Sequence, residues 1–334
     1  MVISRTPFRI SFFGGGTDYP VWYKKNGGAV LATTINKYCY ISCRYLPPFF
    51  EHKSRIIYSK MEFIKTISEI QHPSVRECLR FMKISAGIEV HHDGDLPART
   101  GMGSSSAFTV GLLHALYALR GSMPTKRQLT LDAIHLEQEI IKENVGSQDQ
   151  ALAAFGGFNL VEFGGDSKLR VQPITISQER LGYLQSHLML FFTGFSRIAS
   201  EIAAEQIRKT PYKKKELRYM REMVDKAVEV LNSRNNLLEF GRLLHENWRI
   251  KRSLSHKIST PAIDEIYSAA MSAGALGGKL LGAGGGGFIL IFAKPEVQPK
   301  VRKRLKNLLY VPFSFENLGS QIIFYSPGDS LTNK

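Results

Sequence analysis

Long apolar runs are missing from this chain. The longest, Phe288 to Ala293, covers six residues, against the roughly 20 that a bilayer-spanning helix needs, so no transmembrane helix is expected. Arg5 and Arg9 interrupt the N-terminal residues and leave no continuous apolar core of the kind a secretory signal requires. Cysteine is scarce. Cys39, Cys43 and Cys78 are the three present, none in a metal or redox spacing, and a reducing, cytoplasmic location is expected. Acidic residues are under-represented, 29 Asp and Glu against 44 Lys and Arg, for a formal charge of +15. Such an excess raises nucleic acid, anionic lipid or a phosphorylated metabolite as a partner. Much of it sits in Lys213 to Arg221 and Lys300 to Lys306, where helical spacing spreads it over a solvated face. Neither patch interleaves basic residues with aromatics as a single-strand groove does. The expectation is therefore neither a nucleic-acid partner nor a membrane partner. Internal repeats and low-complexity linkers are also absent.

What is present is an ordinary globular composition, 43% apolar and 22% charged over 334 residues. That length exceeds the range over which single cores usually grow, so two domains are expected. Strand-like alternation covers Val2 to Phe13 and Val30 to Cys43, and a further strand is expected near Gly87 to His92. A Gly/Ser-rich loop, Leu96 to Ser106, runs into a helix at Ala107 to Leu119, and a second helix, Thr125 to Asn144, leads to the polar turn Val145 to Gln150. The domain change is placed near residues 165 to 180, giving units of 1–170 and 171–334. The second half opens on the apolar run Leu188 to Phe192 and reaches another glycine-rich loop, Gly277 to Gly287, followed by a buried strand, Phe288 to Phe292.

Three stretches carry chemistry. In Leu96-Pro-Ala-Arg-Thr-Gly-Met-Gly-Ser-Ser-Ser-Ala107 the glycines allow close backbone approach, the serines can cap a helix, and a helix N-terminus offers unpaired N–H groups to an anion. This reads as a phosphate cradle or as an ordinary capped loop. Three hydroxyls exceed what a cap needs, and one could ligate magnesium, which prefers oxygen. The second loop contains a literal G-x-G-x-x-G at Gly282, Gly284 and Gly287. It stands before a strand rather than before a helix, so the dinucleotide fingerprint fails on context. Lys279 precedes the glycines instead of ending them, so a Walker loop fails as well. A segment that lets another loop, a substrate or a phosphate come close remains.

The third stretch is the helix from Thr125. On its projection Glu137 falls in the middle of an apolar arc made by Leu129, Ala133, Ile134, Leu136, Ile140 and Ile141, where an unpaired carboxylate is costly. It needs a cation, either a buried Arg or a metal ion. Twelve residues on, Gly146-Ser-Gln-Asp149-Gln puts a second carboxylate in a polar turn. Two acids in different environments near a phosphate loop suit phosphoryl transfer, one holding magnesium while the other orients and deprotonates an attacking hydroxyl.

Together these stretches resemble the signature motifs of the galactokinase, homoserine kinase, mevalonate kinase and phosphomevalonate kinase (GHMP) superfamily. Thr6 to Tyr19 resembles its first motif, Gly101 to Ala107 its second, and Lys279 to Phe288 its third, in the family's order. The resemblance implies an α+β fold of two domains, ribosomal-protein-like and then ferredoxin-like, with ATP, Mg2+ and acceptor in the cleft between. It implies Asp149 as catalytic acid–base with Arg9 in support, and Gly101, Met102, Gly103, Ser104, Ser105 and Ser106 as the ATP-phosphate loop. Glu137 with one of the serines, Ser105 being the choice, would hold magnesium. Asp18, with Gly15, Gly16 and Thr17, would hold the acceptor hydroxyls, and Gly284 and Gly285 would border it. The wording of the first motif, of Gly-Ser-Gln-Asp-Gln and of Thr193 to Arg197 is similar to the heptose 7-phosphate kinase and fucokinase branch. The acceptor expected is therefore a sugar phosphate, phosphorylated at O1, with Arg197 or Lys279 on its distal phosphate. An L-fucokinase and a non-catalytic sugar sensor are the alternatives. Neither the oligomeric state nor the residues at adenine can be read from the sequence.

Overall fold

The computed structural model describes residues 1–85, 87–165, 169–194, 199–233 and 236–326. In chain order the elements are β1 (Val2–Phe13), α1 (Pro20–Asn26), β2 (Gly28–Tyr45), β3 (Ser54–Ile57), β4 (Met61–Ile64), α2 (Pro73–Phe81), β5 (Ile88–Gly94), α3 (Ser104–Leu119) and α4 (Lys126–His135). Then come α5 (Gln148–Phe155), β6 (Phe158–Phe163), β7 (Leu169–Pro173), α6 (Gln178–Ser186), β8 (Leu188–Phe192), α7 (Ala199–Lys209), α8 (Lys214–Asn232) and α9 (Leu238–Leu254). The chain finishes with α10 (Pro261–Ser272), β9 (Gly277–Leu280), β10 (Phe288–Phe292), α11 (Gln298–Arg304), β11 (Leu309–Tyr310), β12 (Phe315–Glu316) and β13 (Gln321–Tyr325). The class is α+β, as expected.

The described residues form two sheets. The first follows the path β13-β1-β2-β5-β3-β4, and the long β2 changes partner along its free side, from β6 at Gly28–Thr33 to β12 at Thr34 and Ile35 and then to β5 at Cys39–Tyr45. The second sheet runs β11-β8-β10-β9, antiparallel throughout. Residues 315–325, assigned from sequence to the second half, hydrogen-bond into the first sheet, with β13 lying against β1 at Val2 to Arg5.

β1 alternates buried and half-buried residues at its start and is buried on both faces from Thr6 onward, because α3 covers one face while α8 and α9 cover the other. α3 is buried on nearly every side, from Ser106 to Leu119, which is why its sequence shows no apolar stripe. The helix expected over Thr125 to Asn144 is shorter and less regular. The Thr125 hydroxyl caps α4 at Gln128 N, the coil widens into a π-helical turn at Leu136–Ile140, and Lys142, at φ 61°, ends it. π-turns of this kind often mark functional sites.

The second glycine-rich stretch is half strand. Gly277 to Leu280 is β9, so only residues 281–287 are loop, and that loop joins two antiparallel strands. A β-carbon at Gly277 would stand 2.0 Å from Gly241 O, and this close approach lets α9 pack directly on β9. No helix among the described residues is long and apolar enough to cross a membrane.

Candidate active site

A cleft of about 1190 Å³ opens where α3, α5 and the loop after β1 face α7, α9 and the 281–287 loop. Arg9, on the doubly covered part of β1, is the anchor of its floor. Its Nε and Nη2 donate to the two oxygens of Asp149 at 2.7 and 2.8 Å, and its Nη1 donates to Gly101 O at 2.6 Å. This two-pronged pairing fixes the plane of the Asp149 carboxylate as well as its position. Asp149 stands in the first turn of α5 with its side chain 24% exposed, on the side of the cleft.

The phosphate loop wraps this pair. The Arg9 N–H donates to Met102 O at 3.1 Å, and a β-carbon at Gly103 would stand 3.3 Å from Asp149 Oδ2. The first intrahelical bond at the N-terminus of α3 is from Ala107 N to Gly103 O, and no side chain caps the helix. The N–H groups of Ser104, Ser105 and Ser106 thus head a 16-residue helix at the cleft wall, an arrangement suited to phosphate. Met102 is fully buried and contributes only its backbone.

Glu137 is completely buried. Its Oε2 accepts from Ser106 Oγ at 2.8 Å and from Gln150 Nε2, while Oε1 has no partner. No cation of the described residues pairs with it, so a buried Arg is not what balances this carboxylate. Burial pushes it up to about 7 from the ordinary 4.5, with the neighbouring Glu143 adding to the rise and the hydroxyls of Thr109 and Ser106 opposing it. Ser106, rather than Ser105, meets Glu137. Successive helical residues point about 100° apart, which leaves Ser105 exposed, on the side of Glu143.

Asp18 closes the other side. It is 2% exposed, and its oxygens accept from Gly16 N at 2.8 Å and Gln148 Nε2 at 2.9 Å. Burial raises its pKa, and the charge of Asp149 raises it further. Gly15 and Gly16 line the cleft beside it. Thr17 does not. Its hydroxyl proton is shared between Gly14 O and Ala29 O, and its oxygen accepts from Ala29 N, so it ties the loop together and is buried away from the cleft. Gly284 and Gly285 also depart from expectation. The Gly285 N–H donates to Ile258 O, and a β-carbon at Gly284 would stand 2.7 Å from that same oxygen. Gly282 and Ala283 are the members of that loop that border the cleft. Lys279 is 1% exposed, and its Nζ donates to Phe12 O at 2.8 Å. Arg197 lies outside the described residues.

The sequence reading missed several lining groups. Ser11 Oγ and Gln148 Oε1 are buried polar atoms without partners beside Asp18. Lys251 is 5% exposed on the face of α9 that carries Leu244, Asn247, Trp248 and Leu254, and the helix-face test that picked out Glu137 would have found it. At the far end of the cleft, His72 stacks on Phe108 with centroids 4.7 Å apart, and Tyr58 and His92 meet these rings edge-on. Burial lowers the pKa of both histidines, leaving a flat, uncharged recess.

This geometry is that of a nucleotide-dependent transferase, and comparison with known families agrees. The description "GHMP kinases N terminal domain" matches residues 68–157 and "GHMP kinases C terminal" matches 227–311. The chain belongs to the GHMP kinase family. It is a kinase, a phosphotransferase with an alcohol acceptor and ATP as donor. Among its relatives, the D-glycero-alpha-D-manno-heptose 7-phosphate kinase of Campylobacter jejuni is 28% identical over 95% of this chain and 97% of its own length. The L-fucokinase/L-fucose-1-P guanylyltransferase of Bacteroides fragilis is also 28% identical, over 91% of this chain but 36% of that longer protein. A D-glycero-D-manno-heptose 1-phosphate kinase from Bacteroides thetaiotaomicron superposes with a TM-score of 0.77 at 24% identity, covering 98% of this chain and all of the other. Streptococcus pneumoniae phosphomevalonate kinase, bound to phosphomevalonate and AMPPNP, gives 0.77 at 15% identity over 95% and 100%.

Proposed function

We propose that this kinase phosphorylates the anomeric hydroxyl of D-glycero-D-manno-heptose 7-phosphate, giving the 1,7-bisphosphate. The observation that carries the reading is an Arg-paired Asp149 and an uncapped helix N-terminus on one cleft, with a buried Glu137 behind that helix end, bonded to Ser106 and left with an orphaned oxygen. The heptose is favoured by the heptose kinase relative, which matches over nearly the full length of both chains.

In this reading the acceptor hydroxyl lies against Asp149, which takes its proton as the bond to phosphorus forms, while Arg9 keeps the carboxylate in line. Asp18 and Gln148 hold neighbouring sugar hydroxyls, with Gly15 and Gly16 allowing close approach. The N–H groups and hydroxyls of Ser104 to Ser106 hold the ATP phosphates, and the His72–Phe108 recess takes the purine. Glu137 and Ser106, with Ser105 nearer the mouth, would hold Mg2+. A carboxylate and hydroxyls are the hard oxygen donors that this ion takes, and the unpartnered Oε1 fits such a role. When bound, magnesium neutralises phosphate charge. Lys279 holds the acceptor's own phosphate, a role the sequence reading shared with Arg197. Each half of the chain, divided near residue 170, supplies one wall.

The test is a coupled ATP assay across heptose 7-phosphate, fucose, galactose and mevalonate. Heptose 7-phosphate should be turned over far better than the others, and a clear preference for free fucose would overturn the assignment in favour of an L-fucokinase. Absence of turnover with every acceptor would instead point to the sensor reading.

A further inference from the structure

Arg9 is the cation nearest the general base, and three of its donors are committed, two to Asp149 and one to Gly101 O. Its charge is matched by that carboxylate. A phosphoryl group in transfer spreads negative charge over three equatorial oxygens, and catalysis of this step rests on cations and donors positioned around them. A cation on the side of the cleft opposite the serines would add to what the helix N-terminus and a bound metal ion supply.

Lys251 has such a placement. It is 5% exposed on the inner face of α9. It forms no ion pair among the described residues, and its one hydrogen bond, 2.5 Å to Gly282 O, leaves two N–H donors without partners. Gly282 in turn lies directly on the phosphate loop, since a β-carbon there would stand 2.4 Å from Gly101 Cα. Lys251 thus reaches the cleft where the phosphate loop and the two acids Asp18 and Asp149 meet, within the electrostatic range of both. A buried ammonium without a contacting anion is costly, and no carboxylate among the described residues is in ion-pair contact with it.

We propose that the Lys251 ammonium contacts the γ-phosphoryl group during transfer and stabilises its developing charge, as a catalytic residue additional to Asp149. This rests on the phosphoryl-transfer reading above but not on the identity of the sugar. The bond from acceptor oxygen to γ-phosphorus forms as the bond from that phosphorus to the β,γ-bridging oxygen breaks. ADP leaves with the electron pair, Asp149 receives the acceptor proton, and Lys251 makes and breaks no covalent bond. Lys279, tied instead to Phe12 O at the end of β1, stays with the acceptor.

Burial gives this assignment a signature. The Lys251 ammonium is pushed down to about 8, first by desolvation and then by the charge of Arg9, against the opposing pull of Asp18 and Asp149. Lys279 also faces it and is lowered well below its ordinary value.

The experiment uses the full chain with whichever acceptor the wild type turns over best, so a wrong sugar assignment does not touch it. Lys251→Met should lower kcat by about 10²- to 10³-fold, the size of losing one preorganised donor, with acceptor KM within about threefold. Lys251→Arg should recover at least tenfold of that loss. In the wild type kcat/KM should fall as pH rises through about 8, and in Lys251→Arg that fall should move upward. A rise in acceptor KM at preserved kcat would overturn the proposal, making Lys251 an acceptor ligand. An unshifted alkaline limb in Lys251→Arg would reduce it to a prop for Gly282. If neither variant folds, the wild-type profile still decides, because activity undiminished between pH 7 and 9.5 excludes a role for this ammonium.

Discussion

The two glycine-rich loops look alike in sequence and do opposite work. The loop before α3 borders the cleft and presents a helix N-terminus with three hydroxyls. The loop between β9 and β10 turns toward protein. Phe288 N donates to Thr100 O, and a β-carbon at Gly287 would stand 2.1 Å from that same oxygen. In the function proposed here one loop holds the ligand and the other braces the loop that does. Glycine content reports a close approach in both cases, and the element that follows, helix or strand, says what approaches.

Substitutions on each side should separate these roles. The largest effect belongs to the ligand side. Asp149→Asn should cut turnover by about 10²- to 10⁴-fold with ATP affinity nearly unchanged, read by steady-state kinetics and nucleotide titration. Unchanged turnover would remove Asp149 from its role. On the bracing side, Gly287→Ala introduces a clash with Thr100 O at a φ of 100°, and it should cost about 2–5 kcal/mol of stability in a denaturant melt. Full stability with lost activity would make this loop a ligand loop after all.

Glu137, behind the ligand loop, should announce itself through pH. Its folded-state pKa, about 7, lies above the ordinary 4.5, so the fold binds the proton more tightly than the unfolded chain does. The ligand-free protein is then most stable below about 4.5 with respect to this group and loses stability as pH rises through 7, by on the order of 3 kcal/mol. Glu137→Gln should flatten that part of the Tm profile and raise the magnesium requirement for turnover. A Tm profile parallel to the wild type would mean that the carboxyl is balanced by something else. The smallest effect is expected at Gly121, which also has a positive φ, 68°, but has open space around it. Gly121→Ala should cost only about 1 kcal/mol, and a much larger loss there would undo the distinction between strain and close approach.

Local patterns in the sequence foretold a good deal of this. β1, β8 and β10 occupy the residues that their patterns mark, and the projection of the Thr125 helix put Glu137 inside although that helix widens into a π-turn at the same residue. Long-range pairing was not legible. Nothing in Phe315–Glu316 or Gln321–Tyr325 says that their partners are β2 and β1, because strand alternation specifies a face and not a neighbour. The aromatic recess was missed for a similar reason, since Tyr58, His72, His92 and Phe108 come from four separate places in the chain. Thr17, Gly284 and Gly285 do not line the cleft, because a motif names positions together, whereas their bonds tie the backbone on which the other members stand.

The strand that bears Arg9 has a further property. β1 is the first of the described elements in chain order, and its flank at Val2 to Arg5 is occupied by β13, the last of them. The Thr6 hydroxyl likewise meets Ser320 at 2.8 Å. A nascent polypeptide can pair β1 with β2 early, but this edge stays open until residues 320–325 have left the ribosome. The strand that carries Arg9 is therefore sealed on this edge only by residues far along the chain, and a product cut short before them would carry every signature motif on an unsealed sheet.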